Sequence, residues 1–263
     1  MESEKHRRNK NKGELKNYDK EKDQRNRKKF REQRRRRILG RGHKPFPLQE
    51  NLDGVTPRFP QIGIIHRAQM FDMPGLAKVS ELTGIILDTN NVNAYWKTPF
   101  QESGGGTPPD CFSRDGITPE QSSSELQSDS CYNCPQNQWG SEIKDGTPGN
   151  GKACKNMKRV HVMLENELAP FRLTLPPSSI MATDNYIFRL TSKGLPYQIV
   201  NTIFRLKESK NKQGISYSEI VFDAGETISR DMMLQVKRLR DEYLSAMREQ
   251  YIDPAEFYGD NDG

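Results

Sequence analysis

The chain has 263 residues, 33% of them hydrophobic and 29% charged, with a net charge of +6. So polar a sequence offers no apolar run of transmembrane length, and not all of it need be folded. The positive charge is local: residues 1–45 hold 19 Lys/Arg against 7 Asp/Glu, which leaves 22 against 28 of the totals of 41 and 35 for the remainder.

Residues 1–58 read as a basic arm, disordered or fluctuating into helix. Between Lys5 and Lys44 its only large apolar side chains are Leu15, Tyr18, Phe30, Ile38 and Leu39, too few to offset the entropy of ordering. Phosphate is its natural partner, because each Lys/Arg contact releases counterions. Arg34, Arg35, Arg36 and Arg37 are its densest run. A solvated extension or a localisation signal has the same composition. No apolar run follows the charges, so the sequence predicts an intracellular, cytoplasmic protein without a signal peptide.

From about Pro60 the pattern becomes strand-like. Residues 61–66 read as one strand, 82–88 as a second and 92–96 as a third, with Thr89, Asn90 and Asn91 as the turn of a hairpin. An insertion over 104–156 opens at Gly104-Gly105-Gly106 and Pro108-Pro109, with a glycine-rich loop over 146–151 near its end. Strand signals resume at 159–164 and 169–175, where Phe171, Leu173 and Leu175 alternate with Arg172 and Thr174. Pro176, Pro177, Ser178 and Ser179 stop that strand and cap a helix over about 179–193, with Ile180, Tyr186, Ile187 and Leu190 on its buried face. Two longer strands follow at 197–207 and 216–223. A last helix, about 229–250, repeats Met232, Val236, Leu239, Tyr243 and Met247 at three- and four-residue steps. Residues 251–263 carry four acids and no base, together with Phe257 and Tyr258. They suit a partner-binding peptide, a competitor for the chain's own basic groove, or a frayed terminus.

About seven strands in hairpin-like succession with two helices predict a mainly β (α+β) fold. The expected core is an OB-like antiparallel barrel over 59–250, with the insertion as a subdomain and a C-terminal helix. Strands and helices do not alternate, which argues against a doubly wound α/β fold.

All four cysteines lie in the insertion: Cys111, Cys131, Cys134 and Cys154, spaced C-x19-C-x2-C-x19-C over 44 residues. Four soft thiolates suit tetrahedral zinc, and a CxxC turn presents two sulfurs to one ion. The intervening sequence has few aliphatic side chains, so a cross-link must supply its stability. Disulfides fit poorly in a chain without export features, and a redox CxxC would sit beside a βαβ pattern. A four-cysteine site leaves no open coordination position, so the predicted zinc is structural.

The catalytic inventory is thin. His66 and His161 are isolated on strands, and no phosphate loop, GxSxG, HExxH or acidic metal cluster is visible. The sequence predicts a protein that is not an enzyme. Aromatics interleaved with cations are better represented: Tyr95, Trp96 and Lys97 after the second hairpin, Tyr132 and Trp139 in and after the CxxC turn, Lys152, Lys155, Lys158 and Arg159 at the return, and Tyr197 later. On a strand-rich core these suit single-stranded nucleic acid, with bases stacked on rings and cations along the backbone. Each aromatic taken alone is as well explained by core packing.

The blocks Pro109-Asp-Cys-Phe-Ser-Arg-Asp-Gly116, Cys131-Tyr-Asn-Cys-Pro-Gln-Asn-Gln-Trp-Gly-Ser141, Gly151-Lys-Ala-Cys-Lys-Asn156 and Leu173-Thr-Leu-Pro-Pro-Ser-Ser179 resemble a family of uncharacterised zinc-containing proteins of bacteriophages and mobile elements, over about 60–250. In plan the chain is also similar to the T-even phage helix-destabilising proteins, OB folds with a zinc subdomain between strands, a basic N-terminus and an acidic C-terminus. Their site has one histidine and three cysteines, where this chain has four cysteines. The resemblance implies a single-stranded DNA-binding protein of phage replication or recombination, in the host cytoplasm, whose acidic terminus recruits a polymerase, helicase or primase. The alternatives are a zinc-containing transcription factor or polymerase adaptor reading RNA or duplex DNA, and a virion protein that neutralises packaged genome.

Overall fold

The structure is a computed structural model. It describes residues 54, 55, 57–98, 107–144, 146–165, 167, 169–210, 214 and 216–256. Arg34, Arg35, Arg36 and Arg37, the rest of the basic arm as far as residue 53, and the tail beyond residue 256 lie outside the described residues. Residues 57–263 cluster as one unit and 1–56 as another.

In chain order the strands are β1 (Gln61–Ile65), β2 (Met70–Asp72), β3 (Glu81–Tyr95), β4 (Cys111–Ser113), β5 (Ile143–Lys144), β6 (Thr147–Pro148), β7 (Lys155–Leu164), β8 (Phe171–Leu175), β9 (Val200–Lys210) and β10 (Ser216–Thr227). The helices are α1 (Pro177–Thr191) and α2 (Arg230–Glu249). Eight strands make one mixed sheet in the order β10-β9-β3-β7-β8-β1-β2, with β4 also on β3, while β5 and β6 form a separate ribbon. The sheet is not purely antiparallel as expected, because β1 joins β8 in parallel, Gln61 opposite Arg172.

β3 organises the sheet. One of its edges pairs with β7 from Gly84–Leu164 to Ala94–Lys155. The other pairs with β9 at its start and with β4 at its end. The hairpin expected at Thr89-Asn90-Asn91 does not form. These residues pair with Val160, Arg159 and Lys158 in a ladder that bulges only between Ile86 and Asp88. Polar side chains of this stretch serve the insertion instead: Asn90 Nδ2 donates to the Arg114 carbonyl at 2.8 Å and, two residues after the expected turn, Asn93 Nδ2 to that of Gly116 at 3.1 Å. Backbones crowd at Gly84, where a Cβ would stand 2.4 Å from Val162 Cγ1, so only glycine fits the crossing.

Period-two alternation sorts the strands into two apolar layers. Leu82, Ile86, Val160, Val162, Leu173, Phe204, Ile220 and Phe222 fill one, with Tyr186 and Leu190 of α1. Ile85, Leu87 and Met163 face the other way, against Phe59 and against Val236 and Met247 of α2. Each such side chain contributes about 1.5–3 kcal/mol on burial.

The sheet curls until its far edges approach. Gln69 Nε2, in the β1–β2 turn, donates to Ser218 Oγ on β10 at 2.9 Å. α1 covers the outer edge of β10: the Ile220 amide donates to Ser179 Oγ at 3.1 Å, and Arg189 Nη2 donates to the Phe222 carbonyl at 3.2 Å. An edge strand so occupied is closed to a further strand there. α1 starts two residues earlier than expected. Pro177 supplies its first turn, Pro176 precedes it without a side-chain cap, and Ser179 is buried against β10. α2 matches its expectation closely, with Ser229 Oγ accepting from the Met232 amide at 3.3 Å. No helix among the described residues is long and apolar enough to cross a membrane.

Candidate functional site

The sheet itself positions the insertion. β4 places Cys111 opposite Tyr95 on one side of β3, and β7 starts with Lys155 opposite Ala94 on the other. Cys111 and Cys154 therefore emerge beside the same end of β3. Between them, Cys131 donates its amide to the Ile117 carbonyl at 2.9 Å. Pro135–Asn137 makes a short 3-10 turn after Cys134. That turn is laced to the cysteines: the Asn137 amide donates to the Cys134 carbonyl at 3.0 Å, Asn137 Nδ2 to the Cys131 carbonyl at 2.7 Å, and the Cys154 amide to the Gln136 carbonyl at 2.8 Å. Of the insertion's own large apolar side chains, Ile117, Leu126 and Ile143 are exposed, while Phe112 packs beside Val92, Ala94 and Met157. The insertion's buried centre is the four thiols.

Cys111, Cys131, Cys134 and Cys154 are free, buried, and line one cavity with Asn93, Tyr95 and Phe112. Burial first, and then the neighbouring sulfurs of Cys131, Cys134 and Cys111, push the Cys154 thiol up to about 12. Cys131 is raised by burial too, against weaker lowering by hydrogen bonds from Asn93 and Ser113. Burial thus favours the protonated form of Cys154 and Cys131, a balance that a divalent ion would reverse. Among the described residues, however, no group of three or more His, Cys, Asp or Glu side chains is placed to hold a metal ion. The donor types and shared cavity fit zinc, but the sulfur positions do not complete a coordination sphere.

The aromatic and basic residues separate into two groups. Tyr132 and Trp139 stand outward on the knuckle, 85% and 78% exposed. Lys152 Nζ lies 5.5 Å from the Trp139 ring centroid and donates to Asn137 Oδ1 at 3.3 Å. Lys152 thus makes a cation–π contact with a ring that is otherwise in solvent. Lys97 is exposed beside Glu125 at 3.3 Å, and Lys155 pairs with Glu142 at 2.9 Å.

The others are committed to packing. Tyr95 is half-buried and lines the thiol cavity. Trp96 packs beside Val92, Ala94, Met157 and Ile252, and its Nε1 donates to the Thr107 carbonyl at 2.8 Å. Tyr197 is half-buried on the main core. Lys158 is buried and paired with Asp184 of α1. Arg159 is fully buried: its Nε and Nη2 grip the Glu256 carboxylate at 2.9 and 2.7 Å, and its Nη1 and Nη2 reach the Gln250 and Tyr251 carbonyls at 3.0 and 2.7 Å. Lys158 and Arg159, expected at the surface, thus lie beneath α1 and the C-terminal segment.

Two ionic centres escaped the sequence reading. Glu256 also accepts from Thr174 at 2.7 Å and pairs with Arg172 at 3.1 Å. Buried Asp88 receives Arg248 through two bonds of 3.0 and 3.1 Å, and Arg240 lies 3.7 Å away. Arg172 and Thr174 alternate with core residues and so resemble a solvent face until the C-terminal segment is seen to cover them. Comparison with protein-family models, curated proteins and solved structures finds no match for this chain. The fold and site define a mainly β protein with a curled sheet and a cysteine-centred insertion.

Proposed function

We propose that this is a single-stranded DNA-binding protein of phage replication or recombination, resident in the host cytoplasm, with no catalytic role. The observation that carries the reading is the outward pair Tyr132 and Trp139, with Lys152 over Trp139. Burying a ring on a base is favourable for any sequence, at about 1–3 kcal/mol per stacked base. Tyr132 and Trp139 take bases, while Lys97, Lys152 and Lys155 follow phosphates. The curled sheet with a loop inserted at one end supports an OB-like assignment. The polybasic run Arg34 to Arg37 adds sequence-independent affinity, and the acidic terminus is the contact for replication or recombination proteins.

Cys111, Cys131, Cys134 and Cys154 would hold zinc as four thiolates, in a closed site that stabilises the knuckle and takes no part in chemistry. One bound zinc per chain, lost on replacing Cys131 and Cys134 by serine, is the expected outcome by elemental analysis.

Titrating labelled oligo-dT against a matched duplex at two salt concentrations tests the function. Preference for oligo-dT, with log affinity falling by about 0.7 per phosphate contact per decade of salt, is expected. Preference for duplex, or no binding at low salt, overturns the reading.

A further inference from the structure

The face of β7 and β8 beneath residues 250–256 is strongly polar. It presents Arg159, His161, Arg172 and Thr174, all buried, where the opposite face of the same two strands presents Val160, Val162, Leu173 and Leu175. Apolar residues would pack under such a segment at least as stably as a buried ion cluster, so this polarity calls for a reason beyond anchoring. Two guanidinium groups converge on one carboxylate, Glu256, and Asp253 of the same segment adds a second acid near Arg172. Arg172 spends Nη2 on Gln61 Oε1 at 3.0 Å, but its Nε is buried without a partner. Both nitrogens of His161 are likewise without hydrogen-bond partners. Forked guanidinium pairs of this kind suit the oxygens of a phosphate as well as those of a carboxylate.

The covering segment, residues 250–256, is short. It leaves α2 at Gln250 and is held by the Arg159 bonds, by Glu256, by buried Pro254, and by Ile252 in a small cluster with Val92, Ala94 and Met157. None of its residues belongs to the two large apolar clusters, so it can lift while the main core stays packed.

We infer that Arg159, Arg172 and Thr174 form a phosphate-binding site whose resident occupant is the Glu256 carboxylate, and that an incoming phosphate group displaces residues 251–256. As the backbone phosphate of single-stranded DNA, the ligand makes this segment a built-in competitor. That use rests on the proposed function; the site's phosphate chemistry does not.

Hydrogen exchange on the full chain tests the inference. The Asp253 amide donates to Glu256 Oε1 at 3.1 Å and the Glu256 amide to the Asp253 carbonyl at 3.0 Å, so both amides report on closure. At constant ionic strength, saturating pyrophosphate or oligo-dT is expected to speed their exchange at least tenfold over chloride. Acceleration by pyrophosphate alone supports the site while removing its tie to DNA; acceleration by oligo-dT alone supports it and names the polymer as the source. Unchanged exchange with both ligands, even with oligo-dT bound, overturns the inference and leaves DNA binding standing. Glu256→Gln keeps the shape and removes the competing charge, so pyrophosphate should bind at least threefold more tightly. Equal or weaker binding to a folded Glu256→Gln variant contradicts the inference, and the wild-type exchange decides if that variant does not fold.

Discussion

Trp139 and His161 show how differently two ring side chains are used. Trp139 contributes little to the fold, being largely in solvent beside Lys152. Trp139→Ala should therefore weaken oligo-dT binding about 5- to 100-fold, the cost of about one stacked base, with the urea midpoint unchanged. A matching fall in stability would show the ring to be structural. His161 is buried at the edge of Phe59, with ring centroids 5.6 Å apart. Burial first and Arg159 second hold it down to about 3, Arg172 adding a little; Gln250 works the other way, although its Oε1 is outside hydrogen-bonding geometry. The folded pKa lies below the ordinary 6.5, so between those values the unfolded chain binds the proton that the folded chain refuses. Stability is then full above about pH 6.5 and falls as pH drops towards 3, by at most about 1.4 kcal/mol per pH unit. His161→Phe should flatten the loss measured by urea unfolding between pH 7 and 5. An unchanged loss would assign the acid sensitivity to other groups.

At the scale of elements, α2 is tied to the sheet by a charge as well as by its apolar face. Asp88 sits at the β3 bulge and receives Arg248 from the last turn of the helix. Arg248 is half-exposed and regains water if its partner is lost, so Asp88→Ala should cost about 1.5–3 kcal/mol, short of the cost of stranding a buried charge. Urea unfolding measures it, and a cost under about 0.5 kcal/mol would show the tether to be idle. The insertion's seat on β3 is equally local. Gly116 has φ +74°, and a Cβ there would stand 2.7 Å from that of Asn91. Gly116→Ala should cost about 1–3 kcal/mol and speed amide exchange in residues 111–134 ahead of the sheet.

These elements also mark what the sequence made legible. Apolar periodicity located β1, β8 and α2 within a few residues, because each presents a repeating face to a core. It misread Thr89-Asn90-Asn91 as a turn, because Asn90, like Asn93 further on, bonds to a loop carbonyl from within a strand. It overlooked β2 and β4, three residues each, which have no room for a period. The four cysteines picked out by their spacing line one cavity in the fold. Spacing alone carried no information on which cations would be exposed: Arg159 follows Lys158 directly, yet each is buried by a different element.

For the molecule as a whole, sheet and knuckle rest on separate sources of stability. The sheet has two apolar layers, whereas the insertion has buried thiols and a network of hydrogen bonds. Removing the proposed zinc with a strong chelator should therefore leave the far-ultraviolet spectrum and the cooperative unfolding of the sheet in place, while weakening oligo-dT binding at least tenfold. Global unfolding on chelation would mean that the insertion is integral to the core. The most direct test of the central claim, that the exposed knuckle is the DNA platform, uses the chain's two tryptophans as reporters. Trp96 is held by the Thr107 carbonyl and Trp139 is exposed. On titration with oligo-dT, tryptophan fluorescence should be quenched in Trp96→Phe as in the native chain, and the quenching should disappear in Trp139→Phe. Quenching that survives in Trp139→Phe and vanishes in Trp96→Phe would contradict the account.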